Sequence, residues 1–137
     1  MNKLLKNKIQ FIKQRGFGKY LNRFKNSDIQ VLSLDTDTWY DQETDDGTVF
    51  CWSKPESKIL INGIKTLEIT ISCPIGRVIN FKGIGINEKV ILKQDVKHTF
   101  NIETRGLTEL LILSESYTPE NDQRCLGICL WNLDYKV

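Results

Sequence analysis

No apolar run in the 137-residue sequence approaches the ~18 residues that a bilayer-spanning helix needs, which excludes a helical membrane-spanning protein. The first residues are basic but lack a continuous apolar core and a small-residue cleavage site. They do not read as a secretory signal, and a cytoplasmic protein is expected. Histidine is nearly absent: His98 stands alone between Lys97 and Thr99, with no serine or cysteine nucleophile motif in the chain. It reads as surface or hydrogen-bonded structure rather than as a catalytic base. Gly83-Ile84-Gly85 lacks the third glycine and the following helix of a phosphate-binding loop, so it reads as a turn. Internal repeats and low-complexity segments are missing too. The length suits one domain that folds without disulfides or metal, and no cofactor is expected. The four cysteines (Cys51, Cys73, Cys125, Cys129) are expected to be reduced and buried. Cys125 and Cys129 share one face of an apparent strand, unlike the closer spacing of a zinc knuckle at a turn.

Acidic residues are missing from the first 27 positions, which carry eight basic groups: Lys3, Lys6, Lys8, Lys13, Arg15, Lys19, Arg23 and Lys25. Of 19 basic and 17 acidic residues in the chain, the remainder holds 11 and 17, so a net charge of +2 hides a basic head on an acidic body. Leu4, Leu5, Ile9, Ile12, Phe17, Leu21 and Phe24 recur at three- to five-residue steps among the basic residues. That spacing predicts an amphipathic helix over about residues 3–15, a break at Gly16 and Gly18, and a further helical turn to about residue 25. Residues 1–27 are expected as a basic helical arm and residues 28–137 as the folded domain. The arm suits an anionic membrane surface, with Lys6, Lys8, Lys13, Arg15 and Lys19 as contacts. It equally suits packing of its apolar stripe on the domain or on a partner. Nucleic acid is not expected, because the body is acidic and the basic stretch carries no reading motif.

From residue 29 the texture becomes β-rich. Strands are predicted at Ile29–Leu34, Thr38–Asp41, Val49–Trp52, Lys58–Ile61, Thr66–Cys73, Arg77–Phe81, Lys89–Leu92, Thr99–Glu103, Glu109–Ser114 and Cys125–Leu133. Asp46-Gly47, Asn62-Gly63, Pro74-Ile75-Gly76, Gly83-Ile84-Gly85 and Arg105-Gly106 punctuate them. Leu67-Glu68-Ile69-Thr70-Ile71-Ser72 alternates apolar and polar residues, as a half-buried antiparallel strand should. Many short strands without interleaved helices predict an all-β antiparallel sandwich, with the jelly roll as the best single topology.

Two groups of side chains could carry chemistry. Asp35, Asp37, Asp41, Glu43, Asp45 and Asp46 put six acids into twelve residues. Paired carboxylates serve glycoside hydrolysis, but no spacing here selects a pair, and a solvated acidic loop is the plainer reading. Calcium suits clustered oxygens, yet Asp35-x-Asp37-x-Trp39-Tyr40 departs from the calcium-loop pattern at its third ligand and its glycine. The second group is aromatic: Trp39, Tyr40, Phe50 and Trp52. Exposed rings stack on the apolar faces of sugars while nearby polar groups orient the hydroxyls. Trp52 and Trp131 are expected in the core, and of the adjacent Trp39 and Tyr40 one should be exposed.

Trp39-Tyr40-x-x-Glu43, then Phe50-x-Trp52, then Asp122-x-Arg124-x-Leu126-Gly127 before a closing strand resembles a β-sandwich module that accompanies bacterial glycosyltransferases and other glycan-assembly proteins. The likeness covers about residues 38–135 and is specific at its two ends. Asp35-Thr36-Asp37-Thr38 replaces the glycine usual before the tryptophan, and Cys51 replaces an arginine between the second pair of aromatics. The resemblance implies a non-catalytic accessory module in surface-glycan biosynthesis. Its partner would be a saccharide or a glycan-synthesis enzyme, with Trp39, Tyr40, Glu43, Asp122 and Arg124 as ligand contacts. Glu43 and Arg124 read first as a partly buried ion pair tying the first strand pair to the last turn, ahead of a ligand role, since Arg–carboxylate forks serve both purposes. A hydrolase using residues 35–46 and a purely structural oligomerisation domain are the alternatives.

Overall fold

A computed structural model describes residues 32–136. The helical arm expected at residues 1–27, with Lys6, Lys8, Lys13, Arg15 and Lys19, and the start of the first expected strand lie outside the described residues.

The described residues form ten strands: β1 (Leu32–Leu34), β2 (Glu43–Asp45), β3 (Thr48–Trp52), β4 (Glu56–Ile61), β5 (Thr66–Ser72), β6 (Arg77–Gly83), β7 (Ile86–Leu92), β8 (His98–Glu103), β9 (Glu109–Leu113) and β10 (Cys129–Lys136). Every pairing is antiparallel. One five-stranded sheet runs β1-β4-β9-β6-β7 and the other β2-β3-β10-β5-β8. The all-β, two-sheet architecture expected from the alternation is therefore present.

Period-two patterning builds the core. Leu67, Ile69 and Ile71 of β5, Ile79 and Phe81 of β6, Leu110 and Ile112 of β9, and Leu130 and Leu133 of β10 are buried and join one apolar cluster. Their neighbours along each strand point the other way. Burying each such aliphatic or aromatic side chain contributes about 1.5–3 kcal/mol. The acidic stretch is largely turn chemistry. Asp46 (φ 52°) and Gly47 (φ 79°) form the two-residue turn between β2 and β3, where both positions need positive φ. Thr38 closes another turn on Asp35, its Oγ1 donating to Asp35 Oδ2 at 3.1 Å.

The tryptophans reverse the expectation. Val49 and Cys51 are the inward residues of β3, so Trp52 and Phe50 lie on the outer face, both partly buried. Trp131 is also only partly buried, whereas Trp39, 3% exposed, sits in the core. The expected strand at Thr38–Asp41 reduces to a single bridge, Trp39 to Ser53. The last strand begins at Cys129, not Cys125, and the exposed Cys125 lies in the loop before it.

Candidate functional site

Four of the five ligand contacts that the resemblance implies converge at one end of the molecule. Asp122 is held in its turn by its backbone N–H, which donates to Pro119 O at 3.1 Å. Its carboxylate accepts the Arg124 backbone N–H at 2.9 Å, Nε at 3.0 Å and Nη2 at 2.6 Å. Arg124 Nη1 donates across the fold to Glu43 Oε2 at 2.7 Å. Tyr40 closes the group: its hydroxyl donates to Cys125 O at 2.9 Å, and its ring centroid lies 5.2 Å from the Arg124 guanidinium. The Glu43–Arg124 pair expected from the sequence is thus present, and it joins β2 to the turn before β10. Hydrogen bonds from Arg124 hold the Asp122 carboxyl down at about 2, and those same bonds hold the guanidinium more firmly protonated than usual.

Arg124 is committed to two carboxylates, so its first role is to fasten the loop. Trp39 does not belong to this group. Its ring is enclosed and its Nε1 donates to Lys58 O at 2.9 Å, which leaves no face for a sugar and corrects its assignment as a contact. In a double-mutant cycle, Glu43→Ala and Arg124→Ala are expected to couple. Both side chains are about a third exposed, so the coupling should fall near the lower end of the roughly 0.5–3 kcal/mol seen for contacting residues. Additive losses in urea unfolding would refute the tie. The fork also carries an acid signature. A carboxyl depressed from 3.8 to about 2 contributes stability above pH 3.8 that is lost as pH falls through 2. Asp122→Asn should flatten that part of the stability profile.

A second constellation lies on the outer face of the β2-β3-β10-β5-β8 sheet. The register sets Glu43 opposite Phe50, and Trp52 opposite Cys129, itself opposite Ser72. A β-bulge between Leu130 and Asn132 then turns Trp131 outward. Its ring lies 5.2 Å from Phe50 at 40°, and its Nε1 donates to Ser72 Oγ at 2.7 Å. Lys97 Nζ sits 3.9 Å over the ring. Cys129 is buried at this face, and that burial pushes its thiol pKa well up, so it is not a nucleophile.

Beyond Trp131 the face is polar. Asn132 lies opposite Thr70 and Asp134 opposite Glu68; Glu68 in turn faces Asn101, and Thr70 faces Thr99. A cleft of about 430 Å³ opens there, lined by Thr66, Glu68, Asn101, Asp134, Tyr135 and Lys136. None of these was anticipated. The available signal was a slip in the pattern: apolar residues fall at Leu126, Ile128 and Leu130, then at Leu133 and Tyr135.

His98 is structural, as its isolation suggested. Its Nε2 accepts the Lys93 backbone N–H at 3.1 Å and its ring stacks on Phe100. Among the described residues, no group of three or more His, Cys, Asp or Glu side chains is arranged to hold a metal ion. No helix among them is long and apolar enough to cross a membrane. The sequence matches no protein-family model and no curated protein.

Proposed function

We propose that this protein is a non-catalytic saccharide-binding module that serves surface-glycan assembly, through the sugar itself or beside a glycan-synthesis enzyme. The observation that carries the reading is Trp131. A bulge turns this partly buried ring outward beside Phe50, next to a row of hydroxyl, amide and carboxylate groups. Such a combination of ring and convergent polar groups is what sugar recognition requires. A jelly-roll topology is supported by the order of the last eight strands, in which β3-β10-β5-β8 stands against β4-β9-β6-β7. Binding is favoured over hydrolysis because Asp35 and Asp46 serve turns and Glu43 holds Arg124.

Trp131→Ala should weaken saccharide binding by about 30-fold, the ~2 kcal/mol typical of an aromatic anchor. Lys97→Ala should do the opposite. A sugar stacking on the ring must displace the ammonium, a contact of about 0.5–1 kcal/mol, so its removal should tighten binding roughly two- to fivefold. Calorimetric titration of both variants checks this, and unchanged affinity in Trp131→Ala would sink the proposed face.

The basic, apolar-striped sequence of residues 1–27 supports a peripheral position on the anionic inner face of the cell membrane. Each basic group near the surface would add about 1 kcal/mol. Co-sedimentation with anionic vesicles at low salt, lost at high salt, is the expected result; a protein that stays in the supernatant at low salt rejects it.

A further inference from the structure

We infer that the ligand is an extended neutral oligosaccharide rather than a single sugar, with a second subsite in the cleft formed by Thr66, Glu68, Asn101 and Asp134. This rests on the saccharide-binding reading and says how much of the sheet the ligand covers.

Three observations lead there. First, the aromatic end and the cleft share one face of the same strands. Ser72, which holds the Trp131 indole, and Thr66, which lines the cleft, are six residues apart on β5. At ~3.3 Å per residue that is about 20 Å, several pyranose rings end to end. Second, the surface between the two ends is polar throughout. Thr70 and Asn132, then Glu68, Asp134 and Asn101, form cross-strand rows of hydroxyl, amide and carboxylate groups, with the apolar residues of β5 on the opposite face.

Third, Glu68 and Asp134 stand directly opposite each other, and among the described residues neither forms an ion pair. Two like charges in that position destabilise a sheet, and a local conflict of this kind marks a surface kept for another purpose. One Asp134 oxygen already accepts the Tyr135 N–H at 2.7 Å. The remaining carboxylate lone pairs can accept sugar hydroxyls, and Asn101 can both donate and accept. Two carboxylates against the single ammonium of Lys136 leave the cleft lining net negative, which disfavours a uronate or phosphorylated unit and favours a neutral chain.

The experiment titrates the full chain with neutral gluco-, manno- and galacto-configured oligomers of one, two, four and six units, and with a uronate tetramer. In the series that binds, affinity should rise at least tenfold from one unit to four and then level off. The uronate tetramer should bind at least tenfold more weakly than the neutral one. Glu68→Gln and Asn101→Ala should each lower tetramer affinity at least fivefold and leave that of the monomer unchanged, whereas Trp131→Ala should lower both. Glu68→Gln relieves the like-charge contact, so its thermal unfolding should occur no lower than that of the parent chain, separating lost affinity from lost structure. A monomer that binds as tightly as the tetramer, a uronate that binds as tightly as the neutral chain, or cleft variants without effect would each overturn the inference and leave the Trp131 reading standing. Failure of every oligomer to bind would overturn both.

Discussion

Replacing Trp39 by alanine is expected to remove about 3–5 kcal/mol of stability, the range for truncating a buried tryptophan. The ring is 3% exposed and belongs to the core cluster with Leu34, Val49 and Ile59. Its indole N–H donates to Lys58 O on β4 in the opposite sheet, so the side chain fills the interior and links the two layers. Domains of this size have only about 5–15 kcal/mol in hand, and the loss should be visible as a large fall in the urea midpoint. Trp39→Phe separates the two contributions. It keeps most of the volume and deletes one donor, and Lys58 O keeps the Asp35 backbone N–H at 3.2 Å, so the carbonyl is not stranded. A loss of about 1 kcal/mol is expected there, with saccharide binding intact. A Trp39→Ala chain that unfolds as late as the parent would show that the ring is not core.

Gly127→Ala should be nearly as damaging, although glycine-to-alanine changes often stabilise a chain by about 0.4–1 kcal/mol through its unfolded state. The added methyl would lie 2.5 Å from Lys54 O, 2.7 Å from Ser53 Oγ and 2.8 Å from Ser114 Oγ. Neither of the first two neighbours can easily retreat. Gly127 N–H donates to Ser53 O at 2.7 Å, Ser53 N–H to Ile128 O at 2.9 Å, and Ser53 Oγ accepts the Ile128 N–H at 2.9 Å. Overpacking of this kind costs about 1–3 kcal/mol and sometimes more, and the upper end is expected where backbone is struck. The steric cost therefore outweighs the entropic gain. Thermal unfolding of Gly127→Ala decides the sign, and a rise in midpoint would mean that the strand is free to shift.

Of these two residues, Trp39 marks where the sequence misled and Gly127 where it was readable. Gly127 ends the Asp122-x-Arg124-x-Leu126-Gly127 pattern, and the crowding around it is the physical reason a glycine stands there. The alternation in Leu67–Ser72 identified β5 and its buried face, and nine of the ten expected strands overlap observed ones. The Asp46-Gly47 pair marked a turn whose positive φ angles suit those residue types. The Glu43–Arg124 tie was legible because an arginine–carboxylate fork is a common use of both side chains, beside ligand contact. The strand at Glu43–Asp45 was not legible: Glu-Thr-Asp has little β character and pairs because the turn delivers it to β3.

The tryptophans were misjudged for a physical reason. Size and apolarity argue for burial of any tryptophan, but the phase of a strand is decided by all its residues together. On β3 that phase is carried by Val49 and Cys51, and cysteine is an inconspicuous apolar residue in a sequence. On β10 the phase changes partway along, so no single alternation predicts which side Trp131 takes. The candidate surface thus shifted from the ends of the motif pattern to the middle of a sheet. Long-range pairing assembled it from β3, β5, β8 and β10, segments that show no common motif.

The extra residue in β10 has a consequence for what selection can alter. Leu130 faces Ile71 and Leu133 faces Ile69, with Asn132 alone opposite Thr70. Strike out Trp131, and Leu130, Asn132 and Leu133 read in, out, in, an unbroken frame that closes the same sandwich. The ring is therefore carried as cargo on a strand whose grammar is complete without it. Exchanging it for another side chain leaves that frame unaltered, so the outer face can vary while the strands keep their register.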